Sequence, residues 1–86
     1  MRKSQKQLDE TSRQLGCNIR YMIQEKGTKA ERCAAACGMS PTTWSRRMNH
    51  PGEFTFGEIN LLANLWGVSP ARVMYGRLTE GEDRGR

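Results

Sequence analysis

Long apolar runs are missing from this 86-residue chain, whose mean hydropathy is −0.77. No stretch reaches the roughly 20 apolar residues of a membrane span, and the opening MRKSQKQLDE has no apolar centre of a secretory signal. A cytosolic chain is expected. Histidine occurs once, at His50, and cysteine three times, an odd count that argues against a disulfide framework in a reducing compartment. Neither a glycine-rich phosphate loop nor a nucleophile with a suitably spaced base is present. The carboxylates Glu25, Glu31, Glu53 and Glu58 are accounted for by surface and helix-cap positions. With a length that gives one domain and buries a modest fraction of surface, the chain is not expected to be an enzyme or to hold a small-molecule pocket or cofactor.

Alternating strand patterns are absent as well, whereas helix signals recur. An all-α domain of five helices follows. The first helix is expected over residues 11 to 26, with Thr11 and Gln14 as a capping box, Gly27 as its stop, and Leu15, Ile19, Met22 and Ile23 as its buried stripe. Leu8, seven before Leu15, leaves open a start as early as Ser4. Residues 1 to 10 are then either a basic arm, able to reach a DNA backbone or minor groove or simply solvated, or an extension of the helix.

The second helix is expected to start at a Thr28–Glu31 capping box and to continue through Cys33, Ala34, Ala35, Ala36 and Cys37. Its small side chains let another helix approach closely, and Gly38 stops it. Ser40 and Pro41 supply an N-cap and first-turn proline for a third helix, ended by Asn49 because Pro51 pushes His50 out of the α region. Trp44 and Met48, four apart, point inward. Thr42, Arg46 and Asn49 share the opposite face, with Thr43, Ser45 and Arg47 on the flanks.

A fourth helix follows Thr55 and Glu58, a second capping box, with Phe54 and Ile59 at the positions of a hydrophobic staple. Ile59, Leu62, Ala63 and Trp66 make its core stripe and Gly67 its end. Ser69 and Pro70 open a short fifth helix that Gly76 closes, with Val73 and Met74 packing back. The polar tail, residues 77 to 86, is expected to be disordered.

Chemistry beyond packing is sparse. Cys33 and Cys37 share one helix face, but a zinc site needs about four ligands, and only Cys17 and His50 remain. Two core-facing small hydrophobes are expected there, and no metal. Trp44 and Trp66 lie on apolar stripes and are expected in the core rather than as base-stacking platforms.

Charge, by contrast, is concentrated. Within the formal +5, residues 1 to 8 carry Arg2, Lys3 and Lys6 without an acid, and residues 28 to 50 carry Lys29, Arg32, Arg46 and Arg47 against Glu31. That placement suits a polyanion.

The order Ala34, Gly38, Met39, Ser40, Trp44 is similar to the helix-turn-helix of the phage-repressor and Cro-like transcription regulators, and the resemblance extends over residues 11 to 76. It implies a five-helix repressor-like fold and sequence-specific binding of double-stranded DNA, as a phage or mobile-element repressor or regulator. In such a reader the third helix enters the major groove. Thr42 and Arg46 then read base edges, with Thr43 and Asn49 assisting, while Lys29, Ser45 and Arg47 hold phosphates. The glutamine that the family often places at the start of the second helix is replaced here, with Ala30 nearest and Lys29 beside it. A homodimer on DNA is expected to use Leu61 and Leu65, an apolar pair off the core stripe of the fourth helix. Two other classes remain: the DNA-binding antitoxin of a toxin pair, and a protein-interaction adaptor whose arginine face contacts protein.

Overall fold

A computed structural model describes the backbone of residues 2–76 and the side chains of residues 10–76. The expected disorder of residues 77 to 86 lies outside the described residues. The chain forms α1 (Arg2–Lys26), α2 (Ala30–Ala36), α3 (Pro41–Asn49), a 3₁₀ turn (Pro51–Glu53), α4 (Phe56–Trp66) and α5 (Pro70–Tyr75), with no strand among the described residues. The all-helical expectation and the count of five α-helices hold.

The local devices explain most boundaries. Ser40 Oγ accepts the Thr43 N–H at 3.2 Å and Pro41 occupies the first turn of α3. Thr55 and Glu58 form the reciprocal box on α4, with Glu58 N–H to Thr55 Oγ1 at 3.1 Å and Thr55 N–H to Glu58 Oε1 at 2.9 Å. Ser69 caps α5 through the Arg72 N–H. Past α2, Gly38 has φ +69°, a left-handed conformation that an L side chain resists. The turn is closed by Met39 N–H to Ala34 O at 2.8 Å and Gly38 N–H to Ala35 O at 3.0 Å.

Two expected caps are absent. Thr11 lies inside α1, whose backbone is already helical from Arg2, so Thr11 and Gln14 do not stand at a helix start. The Thr28–Glu31 box is also replaced: Lys29 is the N-cap of α2 and makes no side-chain cap bond. Thr28 Oγ1 instead accepts the indole N–H of Trp66 at 3.0 Å, and the Cys33 thiol reaches it at 3.9 Å. The exchange has a physical reason. An indole N–H buried without an acceptor costs about 1–3 kcal/mol, whereas the first N–H groups of an exposed helix start are satisfied by water.

One core joins all five helices through Ile19, Met22, Cys33, Ala34, Trp44, Phe54, Ile59, Leu62, Ala63, Trp66 and Val73. Trp44 meets Phe54 edge-on, with ring centroids 5.6 Å apart and planes at 68°. The staple positions Phe54 and Ile59 are both buried. On one side α1 packs against α5, pinned by Asn18 Nδ2 donating to Met74 O at 2.9 Å and by the Arg72–Glu25 ion pair at 3.2 Å.

On its other side α1 packs against the 3₁₀ turn, and here a glycine is required. A Cβ on Gly16 would sit 2.8 Å from Cγ of Pro51. Replacing a glycine inside a helix by alanine ordinarily gains about 1 kcal/mol. Gly16→Ala is expected to reverse that sign and cost about 1–3 kcal/mol, because the ring carbon it meets belongs to a turn fixed against α1. Urea denaturation measures it. A more stable variant would show that α1 and the turn do not approach this closely.

Candidate functional site

The residues singled out by sequence cluster around α3, and their exposure divides them. Trp44 is buried and Met48 half-buried, as their spacing requires. Thr42, Ser45, Arg46 and Asn49 are exposed and line one shallow groove together with Pro41 and His50. Among the described residues Arg46 is the one arginine or lysine on that groove, and no carboxylate lines it. Ser45, expected on a flank, shares the groove with the outer face.

Two of the expected contact residues are engaged within the fold. Thr43 is half-buried, and its hydroxyl accepts from Ser40 Oγ at 3.1 Å, so it completes the cap of its own helix. Arg47 turns toward α4 and binds Glu58 with both arms of its guanidinium, Nε to Oε1 at 3.3 Å and Nη2 to Oε2 at 3.2 Å. The bidentate fork locks the C-terminal half of α3 onto the first turn of α4. Lys29, exposed at the start of α2, is adjacent to a cleft formed by Ala30, Glu31, Pro41, Trp44, Ser45 and Met48.

The Arg47–Glu58 pair sets a pH dependence. Desolvation alone would raise the Glu58 pKa, but the Arg47 hydrogen bond and the Thr55 N–H outweigh it and hold the carboxyl below its ordinary value of 4.5. A pKa lowered on folding stabilises above the unfolded value, and that contribution is lost as pH falls below 4.5. Glu58→Gln is therefore expected to lower stability at pH 7 by about 1 kcal/mol or less, since solvent screens a pair this near the surface. It should also flatten the fall in melting temperature between pH 4.5 and pH 3. An unchanged acid limb would assign that fall to other carboxylates.

The cysteines separate in the same way. Cys33 is fully buried and desolvation raises its pKa, while burial and the nearby Glu58 carboxylate push the Cys37 thiol up to about 11. Both are therefore thiols rather than thiolates at neutral pH, unsuited to nucleophilic work. Cys17 is exposed on α1. No group of three or more His, Cys, Asp and Glu is placed to hold a metal ion among the described residues. No helix among them is long and apolar enough to cross a membrane.

On α4, Leu61 is 44% exposed, but Leu65 is half-buried and packs against the core. The expected outward pair is thus one leucine. Phe56 at the start of α4 and Tyr75 at the end of α5 are the other large exposed apolar side chains among the described residues.

Sequence reasoning reads His50 as a surface or phosphate-contact residue and passes over Arg20. His50 is exposed at the C-terminal end of α3 and borders the α3 groove. Arg20, seven residues after Arg13, comes from α1 and lies beside the same end of α3. Its position depends on how α1 meets the 3₁₀ turn, which no local motif announces.

No family model, curated protein or solved structure matches the chain.

Proposed function

We propose that α2, the turn at Gly38 and Met39, and α3 form a helix-turn-helix that binds double-stranded DNA in a sequence-specific manner, as a transcriptional regulator. One observation carries the reading. The outer face of α3 offers Thr42, Ser45, Arg46 and Asn49 to solvent in one groove, without a carboxylate, on a helix fixed by a buried tryptophan and the Arg47–Glu58 fork. An arginine grips guanine O6 and N7, an asparagine grips adenine N6 and N7, and a threonine methyl meets the thymine methyl. In this reading Arg46, Thr42 and Asn49 face base edges in the major groove. Lys29 and Ser45 hold phosphates, and Arg47 holds α3 in place rather than holding phosphate.

Titration of a random-sequence duplex at increasing salt tests the reading. A DNA reader loses affinity with a linear slope of log K on log salt, as counterions are no longer released to advantage. Affinity that is absent at low salt would exclude DNA as the partner.

One such helix spans few base pairs, so a two-fold dimer on a near-palindromic site belongs to the proposal. Leu61 is its anchor on α4. Leu61→Glu is expected to abolish cooperative binding to a duplex with two half-sites about 34 Å apart, while affinity for a single half-site stays within about twofold. Cooperativity that survives in the folded variant would place the contact elsewhere.

A further inference from the structure

The arginines of the described fold fall into two groups. Arg13, Arg47 and Arg72 each hold a carboxylate, Glu10, Glu58 and Glu25 respectively. Arg20, Arg32 and Arg46 hold none among the described residues. Arg46 belongs to the α3 groove already described, but Arg20 lies on a different element, 26 positions away in sequence.

Arg20 lines a cleft between α1 and the end of α3, together with Arg13, Asn49, His50, Gly52 and Glu53. Its guanidinium folds back over Gly16, with Nη1 3.9 Å from where a Cβ on that glycine would be. At that distance the guanidinium lies against Gly16 in ordinary contact, beside the Pro51 ring that the glycine admits. Asn49 and His50 border this cleft and the α3 groove alike, so the two form one continuous surface. Glu53 is the one acid that lines the cleft among the described residues, and it also acts on Arg47, whose pKa it helps to raise.

We propose that this cleft, with Arg20 as its cation and His50 as a neighbouring hydrogen-bonding group, clamps a backbone phosphate of the same duplex that α3 reads. The inference rests on the DNA-binding reading and adds to it a second element. Cations then stand on two sides of α3, Lys29 beside the start of α2 and Arg20 at the C-terminal end of α3. A guanidinium presents a planar fork that matches two phosphate oxygens, and it stays charged at all working pH values. A free nucleotide is not the ligand of choice, because the cleft opens onto the α3 groove, where a continuous strand and not a short molecule occupies both. Phosphate contacts fix register without reading sequence. Arg20 is therefore a positioning residue.

The experiment compares full-length wild type, Arg20→Ala, Arg20→Lys and Arg32→Ala on the duplex that wild type selects and on a scrambled duplex, across a range of salt. Circular dichroism and melting temperature verify folding; Arg20 is exposed, so the fold is expected to persist. Arg20→Ala is expected to bind both duplexes about tenfold more weakly and to lower the salt slope by about one, with base preference unchanged. Arg20→Lys should restore the slope, and Arg32→Ala should leave it within error. Replacing single phosphates by neutral methylphosphonates should identify one linkage whose neutralisation weakens wild type and has no further effect on Arg20→Ala. A wild type that selects a site while Arg20→Ala keeps its affinity and slope would overturn the clamp and leave the reading intact. Equal losses in Arg20→Ala and Arg32→Ala would attribute the effect to net charge and also overturn it. A wild type that binds no duplex at all would overturn both.

Discussion

Trp44→Ala is expected to lose about 3–5 kcal/mol of stability, the range for removing a large buried aromatic. Trp44 is 5% exposed and its ring meets Phe54 edge-on, so truncation leaves a cavity between α3 and the segment that leads into α4. Phe54 occupies the residue before the α4 cap, and its loss of packing would loosen that helix start too. At roughly 0.05–0.15 kcal/mol per residue, a chain of this size has about 4–13 kcal/mol in all. The loss is therefore a large share of the total, and the variant's urea midpoint should fall steeply. Urea denaturation followed by far-ultraviolet circular dichroism measures the change. A loss below about 1 kcal/mol would mean that α3 is not anchored through this ring.

Arg46→Ala is expected to leave stability within about 0.5 kcal/mol, as for other exposed substitutions, and to cost about 1–3 kcal/mol of binding to the best DNA site. The contrast with Trp44 comes from position alone, since the two residues are two apart on one helix and face opposite ways. Arg46 makes no ion pair among the described residues, so its removal releases no buried partner. The loss should concentrate at one base position, where preference for guanine relaxes, and should be small on a scrambled duplex. Competition binding against single-base variants of the selected site reads this directly. An equal loss on every sequence would move Arg46 from base reading to phosphate contact.

What could be read from the sequence was what is decided locally. Ser40 with Pro41, Thr55 with Glu58, Ser69 with Pro70, and the glycine after α2 each act within a few residues, and each stands where its neighbours dictate. The same holds for the stripe Ile59, Leu62, Ala63 and Trp66, which is buried throughout.

Three departures involve a partner distant in sequence. Thr28 has the form of a cap, yet the Trp66 indole, 38 residues on, takes its hydroxyl. Arg47 has the form of a surface cation, yet Glu58 takes both its arms while also closing the α4 cap. A carboxylate already explained by one local role gave no sign of a second. Leu65 likewise packs against the core although it lies off the main stripe of α4. Gly16 illustrates the opposite case. It lies in the middle of a helix, where glycine is unfavourable by local rules, and only the approach of Pro51 explains it.

Selection of bound sequences from a random duplex pool, performed with wild type and Arg46→Ala side by side, tests the DNA-reading proposal most directly. Wild type should enrich a motif of two related half-sites containing a guanine that is lost from the motif enriched by Arg46→Ala. A wild-type pool that remains random after repeated rounds at moderate salt would contradict it.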